Sequence, residues 1–248
     1  MVDDVSTWQR PVSVPVPTVW RRYEGLLEMP DGKKPKFIIQ DLTEDIFEDV
    51  LEIMSVNFCK DEVMFGCLKI TEDPVSLTEL QDLWRKLSKQ NAGLVALLDD
   101  GSDRPRVAGA NMTFVCRKQD KFSPDDFKGK AMKAMARDGM VYICGYVNIF
   151  QHYGVKEYLS AFGLIVHPDF RGQGLGTEIL KARKDLCKAL GLKVTMTFFT
   201  TVEGQKSAKK AGMDVLAEIP YEIFKTEDGE EVYPIINPKT AKVMAMRI

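Results

Sequence analysis

Apolar residues recur at helical spacing between residues 43 and 58: Ile46, Val50, Ile53, Met54 and Phe58 share one face. Thr43 stands at the N-cap position, and Glu44 and Asp45 put negative charge in the first turn. A second helix is predicted from Ser76. There Ser76 and Glu79 have capping-box spacing, Val75 and Leu80 have hydrophobic-staple spacing, and Leu80, Leu83, Trp84 and Leu87 form the buried stripe. Shorter apolar runs read as strands: Phe37–Ile39, Gly93–Leu98, Val107–Cys116, Leu159–Val166, Lys193–Thr200, Val215–Phe224 and Ala241–Ile248. The charged turn from Asp99 to Arg106 makes an antiparallel hairpin of the second and third. A third amphipathic helix runs from Thr177 with Ile179, Ala182, Leu186 and Leu190 inward, and Gly191 is its C-terminal cap. A short helix ends near Gly212, and an acidic turn covers Thr226 to Glu231.

Three stretches break this alternation. Residues 1–34 carry Pro11, Pro15, Pro17 and Pro30-Asp31-Gly32, and read as an N-terminal extension that Trp8 and Trp20 pack onto a single domain spanning 35–248. Residues 117–140 are highly charged yet hold Phe122, Phe127, Met132 and Met135. They read as a mobile helical insertion, either a lid over a substrate or a solvated surface helix. Residues 141–155 are aromatic-rich and fit helix or strand.

Composition narrows the function. A chain of 248 residues with 45% hydrophobic content can bury a full α/β core. A net charge of −2 gives no overall basic field for nucleic acid. No run of 18 apolar residues points to a membrane. The five cysteines, at 59, 67, 116, 144 and 187, form no CxxC pair, which argues against a disulfide framework or a metal site. A cytoplasmic protein with reduced thiols is expected.

The sharpest chemical signal is Leu164-Ile165-Val166-His167-Pro168-Asp169-Phe170-Arg171-Gly172-Gln173-Gly174-Leu175-Gly176-Thr177. An apolar strand meets a turn, a glycine-rich loop and then an amphipathic helix, so several backbone N–H groups converge at a helix N-terminus and attract phosphate. No lysine follows Gly176, which rules out the Walker loop, and Thr177 stands where a dinucleotide fingerprint needs its third glycine. Arg171, Gly174 and Gly176 match R-x-x-G-x-G instead. Three glycines in five residues cost backbone entropy unless a ligand must come close.

That loop resembles the coenzyme A pyrophosphate loop of the GNAT N-acetyltransferases, and the order of elements resembles their fold. The likeness extends to Trp8-Gln9-Arg10-Pro11 with Val19-Trp20-Arg21-Arg22, to Phe58-Cys59-Lys60-Asp61-Glu62, and to Leu180-Lys181-Ala182-Arg183 through Leu186-Cys187-Lys188-Ala189-Leu190-Gly191. It continues through Gln205-Lys206, Ala211-Gly212 and Met244-Ala245-Met246-Arg247-Ile248. These stretches are similar to insect arylalkylamine N-acetyltransferase-like proteins. The resemblance implies an α/β (α+β) GNAT fold, with a mixed central sheet of about seven strands, splayed between the fourth and fifth and flanked by helices.

The resemblance further implies acetyl-CoA as cosubstrate. Arg171, Gly172, Gln173, Gly174, Leu175, Gly176 and Thr177 would hold its pyrophosphate, while the edge of Leu164, Ile165 and Val166 would pair with its pantetheine. The basic run Lys206, Lys209 and Lys210 is a solvated face or a further contact to the coenzyme phosphates. Glu62 takes the place of the general base, accepting a proton from a small primary amine before direct transfer in a ternary complex. Candidate amines are dopamine, serotonin, octopamine, tryptamine, histamine or a polyamine; a monomer is expected, with neither nucleic acid nor membrane as partner. A lysine or N-terminal acetyltransferase and a catalytically silent acyl-CoA-binding protein are the alternatives. The chain departs from the family at Val63, where a proline is common, at Gly204, where a serine is common, and at Ala208, where related enzymes carry a tyrosine acid. The proton donor to the thiolate is therefore unassigned. A cysteine-linked route would need Cys59, Cys67 or Cys187, and none has a His/Asp partner at a recognisable spacing. His167, before a proline in the turn, reads as structural.

Overall fold

The computed structural model describes residues 7–234 and 236–248. Eight strands form one mixed sheet: β1 (Val19–Glu24), β2 (Lys36–Asp41), β3 (Leu94–Leu98), β4 (Val107–Arg117), β5 (Glu157–Val166), β6 (Val194–Phe199), β7 (Asp214–Pro220) and β8 (Thr240–Arg247). Their spatial order is β1-β2-β3-β4-β5-β6-β8-β7. Neighbours are antiparallel except β5 and β6, which run parallel. The helices are α1 (Glu44–Ile53), α2 (Cys59–Asp61), α3 (Val63–Cys67), α4 (Pro74–Ser88), α5 (Lys130–Met135), α6 (Ile149–Tyr153), α7 (Leu175–Leu190) and α8 (Val202–Lys210). One core layer joins α1, α3, α4 and α5 to the sheet around Phe65, Trp84, Met112 and Met132. The other packs α7 against Phe37, Ile39, Ala108 and Leu159.

The strands predicted from apolar runs are all present, and the hairpin of β3 and β4 is antiparallel. The predicted stripe of α7 is buried, and Gly191 closes the helix at φ 73°. The sheet has one strand more than expected, because the extension is not wholly irregular: β1 pairs with β2 along an outer edge. Its residues alternate only between exposed and half-buried, so no apolar pattern marks it. The parting strands are consequently the fifth and sixth of the sheet.

Three local expectations are corrected. Thr43 is the N-cap residue of α1 but makes no side-chain capping bond. Helix α4 starts at Pro74, not Ser76: Asp73 caps it by accepting from the Ser76 amide at 3.2 Å and the Ser76 hydroxyl at 2.7 Å. Glu79 turns outward to accept from the amides of Lys128 and Gly129, and Val75 is 51% exposed, so neither capping box nor staple forms. The charged insertion is no solvated helix. Phe127, Ala131, Met132, Met135 and Ala136 are buried, α5 docks on α4, and a π-helical turn over Ala136–Ile143 carries the chain toward α6.

Asp41 fastens the extension to the domain. Its carboxylate, wholly buried, accepts from both Arg10 terminal nitrogens (2.9 and 2.8 Å), the Trp20 indole (2.8 Å) and the Thr18 amide (2.8 Å). Arg10 also donates to the carbonyls of Val14, Pro15 and Asn91. Removing one partner of such a buried pair strands the other. Arg10→Met should therefore lower unfolding stability by about 3 kcal/mol, read from the urea midpoint. An unmoved midpoint would show that the pair contributes nothing net.

Candidate active site

β5 and β6 hold backbone register only at Leu159 and Thr195, then part. Side chains span the gap: the Thr195 hydroxyl donates to the Leu159 carbonyl (2.9 Å) and the Thr197 hydroxyl to that of Ala161 (3.0 Å). Arg183, from α7, lies wholly buried in the fork and donates to Thr195 Oγ1 (2.8 Å) and to the carbonyls of Leu159 and Met196. Beyond it opens a cavity of about 560 Å³ that runs from the glycine loop to Glu62.

At one end stand Leu164, Ile165, Val166, Arg171, Gly172, Gly174, Leu175, Gly176 and Thr177, all lining the cavity. α7 begins at Leu175, so the loop does deliver a helix N-terminus to this space. Lys206, Ser207 and Lys210 of α8 add hydroxyl and positive charge to the same end; Lys209 does not line it. Gln173 is the exception within the loop. Its side chain turns away, accepting from the Leu27 amide (2.9 Å) and donating to the Leu27 carbonyl (3.1 Å). Arg171 pairs with Asp61 and donates to the Val166 carbonyl (3.3 Å), which links the loop to the residue before Glu62.

At the other end Glu62 sits between α2 and α3. The chain turns extended there (φ −73°, ψ 120°), and Glu62 Oε2 caps α3 by accepting from the Phe65 amide at 2.7 Å. Burial raises its pKa above the usual carboxylate value; the nearby Thr200 hydroxyl and the Phe65 and Met64 amides pull the other way. Phe58, Phe65, Phe162 and Phe198 supply aromatic walls, and Met135 of the insertion completes them. Cys59, beside Glu62, is no nucleophile: burial and then the Glu62 charge push its thiol up to about 12. Burial likewise raises Cys187 to about 12. Ala208 is on the buried face of α8, packed into the core. His167 caps the turn by accepting from the Asp169 amide, a structural role. Among the described residues no cluster of three or more His, Cys, Asp or Glu could hold a metal, and no helix is long and apolar enough to cross a membrane.

Among the described residues, three buried side-chain polar atoms lack a hydrogen-bond partner: Glu62 Oε1, Asn111 Oδ1 and Arg183 Nη1. All three residues line this cavity. Unpaired buried polar groups are costly, and their gathering in one place marks the space as a ligand's. Asn111 and Arg183 were not foreseen. The signals were a lone amide inside the apolar run Val107–Cys116, and an arginine four residues from both Ile179 and Cys187 on a buried helical stripe. Asn111 Nδ2 donates to the Gly163 carbonyl (2.7 Å), where the β4–β5 register slips and Gly163 adopts φ 115°.

Comparison with known proteins agrees with this geometry. Residues 112–211 match the acetyltransferase (GNAT) family. Across 97% of this chain and 99% of the other, the fold superimposes on the crystal structure of an insect protein assigned as arylalkylamine N-acetyltransferase 7, from the yellow fever mosquito Aedes aegypti (TM-score 0.88, 33% identity). Arylalkylamine N-acetyltransferase 2 of the same mosquito matches over 86% of this chain and 99% of its own (TM-score 0.77, 19% identity). A Drosophila melanogaster polyamine N-acetyltransferase matches over 86% and 100% (TM-score 0.72, 14% identity), a likeness of fold. No curated protein sequence matches. The chain belongs to the GNAT acetyltransferase family, in its insect arylalkylamine N-acetyltransferase-like group, and is an acyltransferase.

Gly174 gives a test of the loop. It holds φ 78°, and a Cβ there would lie 2.7 Å from the Tyr23 hydroxyl and 3.3 Å from Leu26. Gly174→Ala should thus cost about 1 kcal/mol or more in strain and weaken coenzyme A binding at least about tenfold by calorimetry. Wild-type affinity in the folded variant would show that the loop tolerates another shape.

Proposed function

We propose that this acyltransferase uses acetyl-CoA to acetylate small primary amines, arylalkylamines foremost, by direct transfer with Glu62 as general base. The observation that carries this reading is the position of Glu62: a desolvated carboxylate with one oxygen unpartnered, in the same cavity as the glycine loop. The aromatic walls suit an arylalkyl group. Met135 of the insertion adds a further apolar side chain to these walls. The arylalkylamine designation of the Aedes aegypti relative points to the same substrates.

The chemistry follows from charge. A primary amine with a pKa near ~10 arrives as an ammonium and cannot attack until it loses a proton. Glu62 Oε1 attracts the cation, then accepts that proton directly or through water. By the family's fold, backbone N–H groups at the parted edge of β5 are the donors to the thioester oxygen as it becomes an oxyanion. Arg183, lowered by burial to about 10, is still cationic at neutral pH. No carboxylate neutralises it among the described residues, so its end of the fork favours the departing thiolate. The raised thiols of Cys59 and Cys187 favour the ternary complex over a cysteine-linked intermediate.

Glu62→Gln should lower kcat about 10²-fold or more on tyramine-type amines at neutral pH, since general-base catalysis contributes roughly that much. The amide keeps an oxygen for the Phe65 N–H, so α3 and coenzyme affinity should survive. The pH profile supplies the sign. Protonated Glu62 cannot act, so activity should rise with pH through a pKa above the ordinary ~4.3, and the variant should lose that limb. A variant with unchanged turnover, or an acidic limb that persists in it, removes Glu62 from the mechanism.

A further inference from the structure

The glycine loop is shaped from outside the acetyltransferase core. Tyr23, at the end of β1, donates its hydroxyl to the Gln173 carbonyl at 2.8 Å. Gln173 is 3% exposed and binds the Leu27 backbone through both ends of its amide. A side chain at Gly25 would strike Gln173 Oε1 at 2.6 Å, so the two segments are in close contact there. Arg21 ties β1 to α7 through Glu178 (2.9 Å) and Asp185 (3.4 Å). These contacts place two large apolar side chains beside the loop. Leu26 and Leu27 are 58% and 57% exposed; Leu26 lines the cavity with Arg171, Gly172 and Gly174, and Leu27 Cδ1 lies 3.5 Å from a Cβ built at Gly172. The aliphatic surface of Leu26 is thus turned to the ligand space beside the glycine loop.

We infer that the segment Tyr23–Leu27 is part of the coenzyme site, with Leu26 packing against the nucleotide half of acetyl-CoA and Tyr23 acting as a positioning residue for the loop. The inference rests on reading the cavity as an acetyl-CoA site and adds to it a contact supplied by the extension. Apolar surface left exposed next to a binding loop gains most when a partly apolar ligand covers it. A nucleotide offers the face of its base for that purpose; phosphate and thioester do not.

The test compares acetyl-CoA with acetyl-pantetheine, which carries the same thioester but no nucleotide. Leu26→Ser changes an exposed residue and leaves the Gln173–Leu27 contacts in place. It should lower the ratio of kcat/KM for acetyl-CoA over acetyl-pantetheine about five- to tenfold, the effect of losing one buried aliphatic side chain. Tyr23→Phe, which keeps the ring and deletes the hydroxyl, should raise the dissociation constant of coenzyme A about threefold or more in titration calorimetry. If wild type binds and uses acetyl-CoA while Leu26→Ser keeps its ratio, the extension makes no coenzyme contact and this inference fails alone. If wild type neither binds coenzyme A nor turns over acetyl-CoA, the reading of the cavity fails and this inference with it.

Discussion

β5 and β6 run side by side in parallel yet pair only at Leu159 and Thr195, and the rest of the site depends on that early parting. A sheet that stayed zipped would have no interior cavity, and the glycine loop would face solvent alone. The fork stays open because its base is filled by something other than backbone. Thr195 and Thr197 bridge it with hydroxyls, and the Arg183 guanidinium occupies the rest. A buried cation is an unusual wedge, since desolvating it is expensive. One of its nitrogens, Nη1, is left without a partner beside the cavity.

The two ends of the cavity are built by different parts of the chain, and both use residues that also have structural duties. Glu62 caps α3 with one oxygen and leaves the other unpartnered in the cavity. This fixes the carboxylate without satisfying it. Arg171 is shared in the same way between Asp61 and the Val166 carbonyl. The loop is further pinned by Tyr23 and by the Gln173–Leu27 contacts, while Arg10 and Asp41 anchor the extension upstream. The order of the glycine loop therefore depends on residues that precede the first strand read from the sequence.

Much of this could be read from the residues because periodicity and glycine spacing report strong local forces. The stripe of α7, the hairpin of β3 and β4 and the loop Arg171–Thr177 each follow from such signals. Hidden features were those decided by tertiary contact. β1 has no alternation to betray it, because an edge strand with both faces partly wet needs none. Asp73 displaced Ser76 as a cap because Pro74 already fixed the first helical φ and Ser76 was needed inward, accepting from the Met132 amide. The insertion read as either a lid or a solvated helix because its charges outnumber its apolar residues, yet that narrow stripe suffices to bury α5. Gln173 belongs by position to the phosphate loop, but its side chain is turned outward by a neighbour some 146 residues away in sequence. Glu62 was singled out by family likeness alone; spacing does not distinguish a helix-end acid from a base.

The carbonyls along β5 show one more thing. Those of Leu159, Ala161, Phe162, Gly163 and Val166 already receive side-chain donors, from Thr195 and Arg183, Thr197, Trp84, Asn111 and Arg171 respectively. An open strand border normally invites any stray polypeptide to zip onto it, because it offers donors and acceptors in alternation. Here several of the acceptors at the parting are already taken, by Thr195, Thr197, Arg183 and Arg171. A stray strand therefore finds fewer partners along this gash than along an ordinary open border.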